Sequence, residues 1–187
     1  MRILPTRRKV LSFAAAAGCL ALGLNAPARA ADDIVIGASI PMTGVFAFAG
    51  IALNNAFQDY VKIVNDAGGI NGRKIKYVAE DTGYKVDNSV AGFNRITSQE
   101  KVSLYYGDST AFSKTINAEL NRRGDIMMAG ASFASELNDP KNFPDQFIAG
   151  PDYSEMIGIL LEYIAKTKPG AKIALVNSDT EFGRDPI

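Results

Sequence analysis

The sequence predicts an α/β fold: a doubly wound parallel sheet, with a first lobe complete over residues 31–149 and a second only begun over residues 150–187. Three observations predict it. Short β-branched runs recur along the chain, and each is followed by a stretch with apolar residues at three-and-four spacing. Glycine- or proline-bearing turns separate the two kinds of segment. Such alternation argues for parallel strands with helices on both faces.

The first strand is Ile34-Val35-Ile36-Gly37-Ala38-Ser39, a β-branched run of the kind a buried strand shows. A loop over residues 41–50 follows, with Thr43, Gly44, Gly50, Phe46 and Phe48. The next helix places Leu53, Ala56, Phe57, Tyr60, Val61 and Val64 on one face, the stripe of a helix packed on a core. Gly68-Gly69-Ile70-Asn71-Gly72 ends it, since glycine adopts the left-handed conformation of a helix terminus at little cost. Residues 74–81 form a second strand, and Val86, Val90, Phe93 and Thr97 space out a helix ending near Gln99. Val102-Ser103-Leu104-Tyr105-Tyr106 is a third strand, followed by a helix over about residues 111–123. Ile126-Met127-Met128-Ala129 is a fourth. Beyond a proline- and asparagine-rich passage, Phe147-Ile148-Ala149 reads as a short strand. A helix over residues 153–167 carries Met156, Ile157, Leu160, Leu161 and Ile164 on one face, and Ile173-Ala174-Leu175-Val176-Asn177 reads as a last strand.

Residues 1–30 stand apart from this pattern. Arg2, Arg7, Arg8 and Lys9 form a basic head, residues 10–24 are almost wholly apolar or small, and Ala28-Arg29-Ala30 supplies a small-x-small cleavage pattern. This is a signal peptide cut after Ala30, because an apolar run of about 15 residues is short of the roughly 20 that span a bilayer. Arg7-Arg8 leaves the general and the twin-arginine export routes both open. Cys19 lies within the apolar run and lacks the leucine that a lipoprotein signal places three residues earlier.

Five of the 20 basic residues precede the cut and all 20 acidic residues follow it, so the remaining 157 residues carry a formal charge of −5. An acidic domain is a poor electrostatic match for nucleic acid or an anionic membrane surface. Beyond Ala30 there is no cysteine, histidine or tryptophan. The chain therefore has no disulfide, no histidine for a catalytic triad or metal centre, and no thiol nucleophile. The Gly-x-Gly-x-x-Gly and Gly-x-x-x-x-Gly-Lys phosphate loops are missing too, so catalytic residues, metal and cofactor are all expected to be absent.

In parallel sheets, ligands lie outside the carboxyl ends of the strands. Three loops leave such ends here, at residues 42–44, 107–110 and 130–133, and each joins glycine to a hydroxyl: Thr43, Ser109 with Thr110, and Ser132. Hydroxyls and backbone N–H groups at these places suit a carboxylate, although a serine or threonine after a strand also serves as a helix cap. Phe46, Phe48 and Phe133 sit in the same short loops, where an aromatic lines a pocket or meets a partner.

Ile34-Val35-Ile36-Gly37, Thr43-Gly44, Gly50 and the run Ala67-Gly68-Gly69-Ile70-Asn71-Gly72-Arg73 resemble the start of a periplasmic solute-binding protein of the leucine/isoleucine/valine-binding type. The likeness continues through Asp81, Lys101-Val102, Gly107, Ala131-Ser132, Glu136-Leu137, Tyr153 and the run Asp179-Thr180-Glu181-Phe182-Gly183-Arg184-Asp185. It implies a type I periplasmic binding fold, a hinged two-lobed receptor that closes on a small molecule and presents it to the permease subunits of an ABC transporter. It also implies that the ligand carboxylate is held by Ser109 or Thr110 together with Ala131, Ser132 and Phe133. An aromatic of the family falls at Ala49, with Phe46 or Phe48 in its stead. Phe182 takes the place of a ring packing on the ligand from the second lobe, and Tyr153 lies near the cleft or at a hinge. The ligand expected is a small carboxylate with an apolar body, either a hydrophobic amino acid or an aromatic acid. Two other classes share features of this sequence: the ectodomain of a membrane receptor, which has the same lobe design, and an exported α/β enzyme, disfavoured by the absences above. The chain reads as the N-terminal part of one roughly twice as long.

Overall fold

The computed structural model describes residues 32–187, and the export leader with its cut after Ala30 lies outside them. Four parallel strands form one sheet in the order β2-β1-β3-β4. They are β1 (Ile34–Ile40), β2 (Ile75–Asp81), β3 (Val102–Gly107) and β4 (Met127–Gly130), joined by α1 (Ala47–Asp66), α2 (Val86–Gln99) and α3 (Thr110–Arg123). β1 pairs along its length with β2, from Ile34 opposite Ile75 to Ile40 opposite Asp81. Its other edge pairs with β3, and β3 with β4. The chain turns outward from β1 to β2, then crosses back to β3. The crossover point lies between the carboxyl ends of β1 and β3, where an open parallel sheet forms a crevice.

The core lies under α2 and α3. Phe93 and Ile96 of α2 meet Tyr105 of β3 and Phe112, Ile116 and Leu120 of α3 in one buried cluster. Phe93 stands edge-on to Tyr105 at 4.9 Å between ring centres. The Tyr105 hydroxyl, which would be costly to bury unpaired, bonds Ser39 Oγ at 2.8 Å. On the other face, Phe57 of α1 stacks on Tyr77 and meets Tyr106 edge-on, at 5.5 and 5.0 Å. Gly50, Asn54, Leu53, Phe57, Val61 and Val64 are the inward side of α1, whereas Ala56 and Tyr60 face solvent. The sequence stripe thus mixes two faces, because the buried line runs through the glycine and asparagine at positions 50 and 54. At the far end of α1, Gly69 takes φ +81° with Arg73 O only 2.0 Å from where a Cβ would stand, so the turn into β2 admits no side chain there.

Two expected strands are absent from the ladders of the described residues. Residues 147–149 make only a local link: Phe147 N donates to Met128 O at 3.1 Å, beside a single parallel bridge between Met128 and Gln146. Residues 173–177 pair with nothing described, and Val176 is 98% exposed. A strand is defined by its hydrogen-bonded neighbour, and these segments have the composition without the neighbour. The expected helix is present as α4 (Tyr153–Thr167), opened by a capping box in which Asp152 and Glu155 bond each other's backbone. Its apolar face is uncovered: Met156, Ile159, Leu160, Leu161 and Tyr163 are exposed. A short helix α5 (Glu181–Arg184) returns to the sheet domain, where Lys114 bridges Glu136 and Glu181 at 3.0 and 3.1 Å. Asp185 accepts from the backbone and hydroxyl of Ser135. No described helix is long and apolar enough to cross a membrane.

Candidate functional site

A cavity of about 210 Å³ opens at the crossover point. Pro41, Phe46, Ala49, Gly50 and Leu53 line it from the β1 loop and the start of α1. Tyr84 lines it from the β2 loop, Tyr106 and Asp108 from the end of β3, and Ala131 and Phe182 close the remaining sides. The topology explains the convergence. Parallel strands deliver all their outgoing loops to one edge, and the reversal between β1 and β3 parts those loops.

Aromatic rings dominate the wall. Phe46 packs on Tyr84 at 4.2 Å between centres. Tyr84 is held at φ +61°, a left-handed backbone that aromatic residues rarely adopt. Burial and the nearby Asp108 charge push the hydroxyls of Tyr84 and Tyr106 up, Tyr106 to about 12, so both remain neutral hydrogen-bonding groups at physiological pH. Asp108 is 3% exposed. Its carboxylate accepts from Thr82 Oγ1, from Ser89 Oγ at 3.0 Å and from Ser109 Oγ at 3.1 Å.

The residues singled out in the sequence divide into three groups. Phe46, Ala131 and Phe182 line the cavity. Behind it, Thr110 and Ser132 bond each other's hydroxyls at 2.8 Å, both buried. Ser109 caps α3 by accepting from Phe112 N at 3.2 Å, while Phe133 meets Tyr153 edge-on at 6.0 Å and Tyr153 meets Phe182 at 5.2 Å. Tyr153 thus supports the wall through Phe182. Thr43 and Phe48 lie outside the lining. Phe48 is 77% exposed and stacks only on Phe46. Thr43 donates its N–H and hydroxyl to Asp81, at 3.0 and 2.7 Å, tying the β1 loop to the end of β2. Tyr84, Tyr106 and Asp108 also line the cavity, and the pattern of hydroxyls in the strand-end loops does not point to them. Asp108 stands within the Gly107-Asp108-Ser109-Thr110 loop, and its position at a strand's carboxyl end was the available signal. Among the described residues, no group of three or more His, Cys, Asp or Glu converges as metal ligands would.

The Asp81 tether has a pH dependence. Burial opposes ionisation, but bonds from the Thr43 hydroxyl and from the backbone of Gly83, Thr43 and Met42 outweigh it and hold the carboxyl below its ordinary 3.8. A depressed carboxyl contributes its stability in full above the unfolded value and loses it as pH falls through the folded one. Amide exchange at Thr43 and Gly83 is therefore expected to accelerate, relative to the sheet, only below about pH 4. Thr43→Val is expected to show the faster exchange already at neutral pH.

The profile of the family described as periplasmic binding protein matches residues 33–187. The chain is 26% identical over 179 residues to an amino acid binding protein of Pseudomonas aeruginosa, covering 95% of this chain and 46% of that one. It superposes with TM-score 0.76 and 29% identity on a branched-chain amino acid ABC transporter protein from Thermus thermophilus with bound valine, covering 83% of this chain and 40% of the other. The TM-score is 0.63, with 25% identity, for a branched-chain amino acid transporter substrate-binding protein from Streptococcus pneumoniae in complex with isoleucine, over 72% and 38%. The chain spans less than half the length of each of these proteins. The family profile covers residues 33–187, nearly all of the described region, and the fold superposes on the Thermus thermophilus protein over 83% of this chain: the chain belongs to the periplasmic binding protein family.

Proposed function

We propose that this chain is the ligand-gripping part of an extracytoplasmic receptor that captures a small carboxylate with an apolar body and hands it to an ABC permease. The protein is exported, its leader is cut after Ala30, and it works as a periplasmic carrier at the membrane surface rather than as an enzyme. Residues 31–149 form the first lobe, and residues 150–187 begin the second.

The observation that carries the reading is the cleft itself: an aromatic-walled cavity at the sheet crossover, with donors gathered beside it. The hydroxyls of Thr110 and Ser132 share one hydrogen bond, which leaves one of their two protons for another acceptor. The first turn of α3 adds backbone N–H groups that have no partner within the helix. Together with the turn over residues 131–133, they suit a carboxylate whose apolar body lies on Phe46, Tyr84, Tyr106 and Phe182. The uncovered faces of α4 and residues 173–176 are where the rest of a second lobe packs.

A thermal-shift panel on the full-length protein tests the proposal, with leucine, valine, benzoate and cinnamate as ligands. At 100 times its dissociation constant a ligand adds about 2.7 kcal/mol to folded stability, a shift of several degrees. Stabilisation by at least one of these acids is expected, and none from any of them would refute the carboxylate reading.

A further inference from the structure

α5 is a single turn, too short to persist on its own hydrogen bonds. The segment before it, residues 171–178, is exposed and pairs with no described strand. Yet the turn places a wall of the cleft: Phe182 lines the cavity and meets Tyr153 edge-on at 5.2 Å. Whatever holds α5 therefore sets where that ring stands. Two polar ties do so, one on each side of Phe182. On one side, Lys114 of α3 donates to Glu181 at 3.1 Å and to Glu136 at 3.0 Å. Burial opposes the charge on Lys114, but its bonds to Glu136 and Glu181 outweigh it and hold the ammonium above its ordinary value. Bonding and charge from Lys114, with a smaller effect of Arg184, lower the Glu181 carboxyl in turn.

On the other side, Asp185 accepts from Ser135 N–H at 3.0 Å and from Ser135 Oγ at 2.9 Å. With its one proton committed to Asp185, the Ser135 hydroxyl accepts from Ser154 Oγ at 2.8 Å, which joins the start of α4 to the same cluster. None of Lys114, Ser135, Glu136, Glu181 and Asp185 lines the cavity. A lone exposed ion pair holds little. Here the Lys114 side chain is only 23% exposed and joins two elements, and the Asp185 carboxylate takes charge-assisted bonds from backbone and hydroxyl together. Resting on the receptor reading above, we propose that Lys114 and Ser135 are positioning residues. They latch α5 to the sheet domain and so clamp the Phe182 ring over a bound molecule. The latch acts on escape: ties that form after a molecule has entered slow its departure and leave its arrival unchanged. Because one tie is a partly exposed ion pair, escape is faster at high ionic strength.

Stopped-flow measurements on the full-length protein separate the two rates, with labelled leucine, or whichever acid of the panel above stabilises most, chased by an unlabelled excess. Lys114→Met is expected to speed release about threefold to fivefold, the scale of one partly exposed ion pair. Ser135→Ala, which loses a hydroxyl bond to a carboxylate, is expected to speed it about tenfold. Association is expected to match the wild type in both. Lys114→Arg keeps the charge and is expected to restore slow release. Added salt is expected to speed release from the wild type and to leave Lys114→Met unmoved, a contrast that simple loss of packing does not produce. The double variant Lys114→Met with Glu181→Gln is expected to release no faster than Lys114→Met alone, because the tie is already broken. Wild-type release rates in both Lys114→Met and Ser135→Ala would overturn the latch and leave the receptor standing. Binding of none of the panel acids would overturn both.

Discussion

Gly50→Ala is expected to lower stability by about 3 kcal/mol, at the upper end of what overpacking costs, and to spoil the cleft at the same time. Gly50 is buried in the first turn of α1, and a Cβ there would stand 2.2 Å from Pro41 O and 2.7 Å from Pro41 C. These are backbone atoms of the loop that leaves β1, so no rotamer change relieves the contact. Either α1 lifts from the sheet or the loop over residues 41–46 moves outward. Pro41, Phe46, Ala49 and Leu53 all line the cavity, so both responses alter its wall. Chemical denaturation measures the stability loss. Ligand titration of the surviving folded fraction is expected to show weaker binding as well. An alanine variant as stable as the wild type would mean that α1 does not approach the loop this closely.

Phe93→Ala is expected to cost about 3–5 kcal/mol, the range for emptying a buried phenylalanine site. Phe93 is fully buried between α2 and the sheet and touches Tyr105 and Phe112 at ring distances of 4.9 and 6.4 Å. Three rings from three elements meet there, so no single side chain can move to fill the hole. Arg123, whose guanidinium lies 5.9 Å above the Phe93 ring, loses that contact too. Against a typical domain stability of about 5–15 kcal/mol, that loss removes a large share of the folded state's margin, and the melting temperature is expected to fall steeply. Circular dichroism melts check this. Because Phe93 lies away from the cleft lining, any fraction that stays folded is expected to keep the ligand affinity of the wild type, which separates this variant from Gly50→Ala.

The two substitutions also mark what was legible in the sequence. The strand–helix alternation was readable because β-branched runs and three-and-four spacing are local signals. β1 to β4 and α2 to α4 lie where those signals put them, within two residues at the ends, whereas α1 begins at Ala47 and takes in residues 47–50 of the expected loop. Residues 147–149 and 173–177 show the limit: their composition suits a strand, but pairing depends on a neighbour that local pattern does not reveal. The inward line of α1 was blurred because Gly50 and Asn54 are buried there while Tyr60 is outside. In the cleft, the loops were placed correctly at the strand ends, yet hydroxyls in such loops have other partners. Thr43 binds Asp81, Ser109 caps α3, and Thr110 bonds Ser132. Asp108 and Tyr84 gain their importance from being turned inward, Tyr84 through a left-handed backbone. Neither fact is written in residue type.

The location of the ligand site is the central claim, and Ala131→Phe tests it most directly. Ala131 lines the cavity with an exposed side chain, while its N–H bonds Gly107 O at 2.9 Å and needs no particular side chain. A phenyl group there fills much of a space of about 210 Å³ without entering the core. Calorimetric titration of the full-length variant with the best ligand of the panel is expected to show at least a tenfold loss of affinity, since a steric block rejects even a well-matched ligand. Its melting temperature in the absence of ligand is expected to match that of the wild type. An unchanged affinity in the Ala131→Phe protein would contradict the account, placing the ligand somewhere other than the crossover of the sheet.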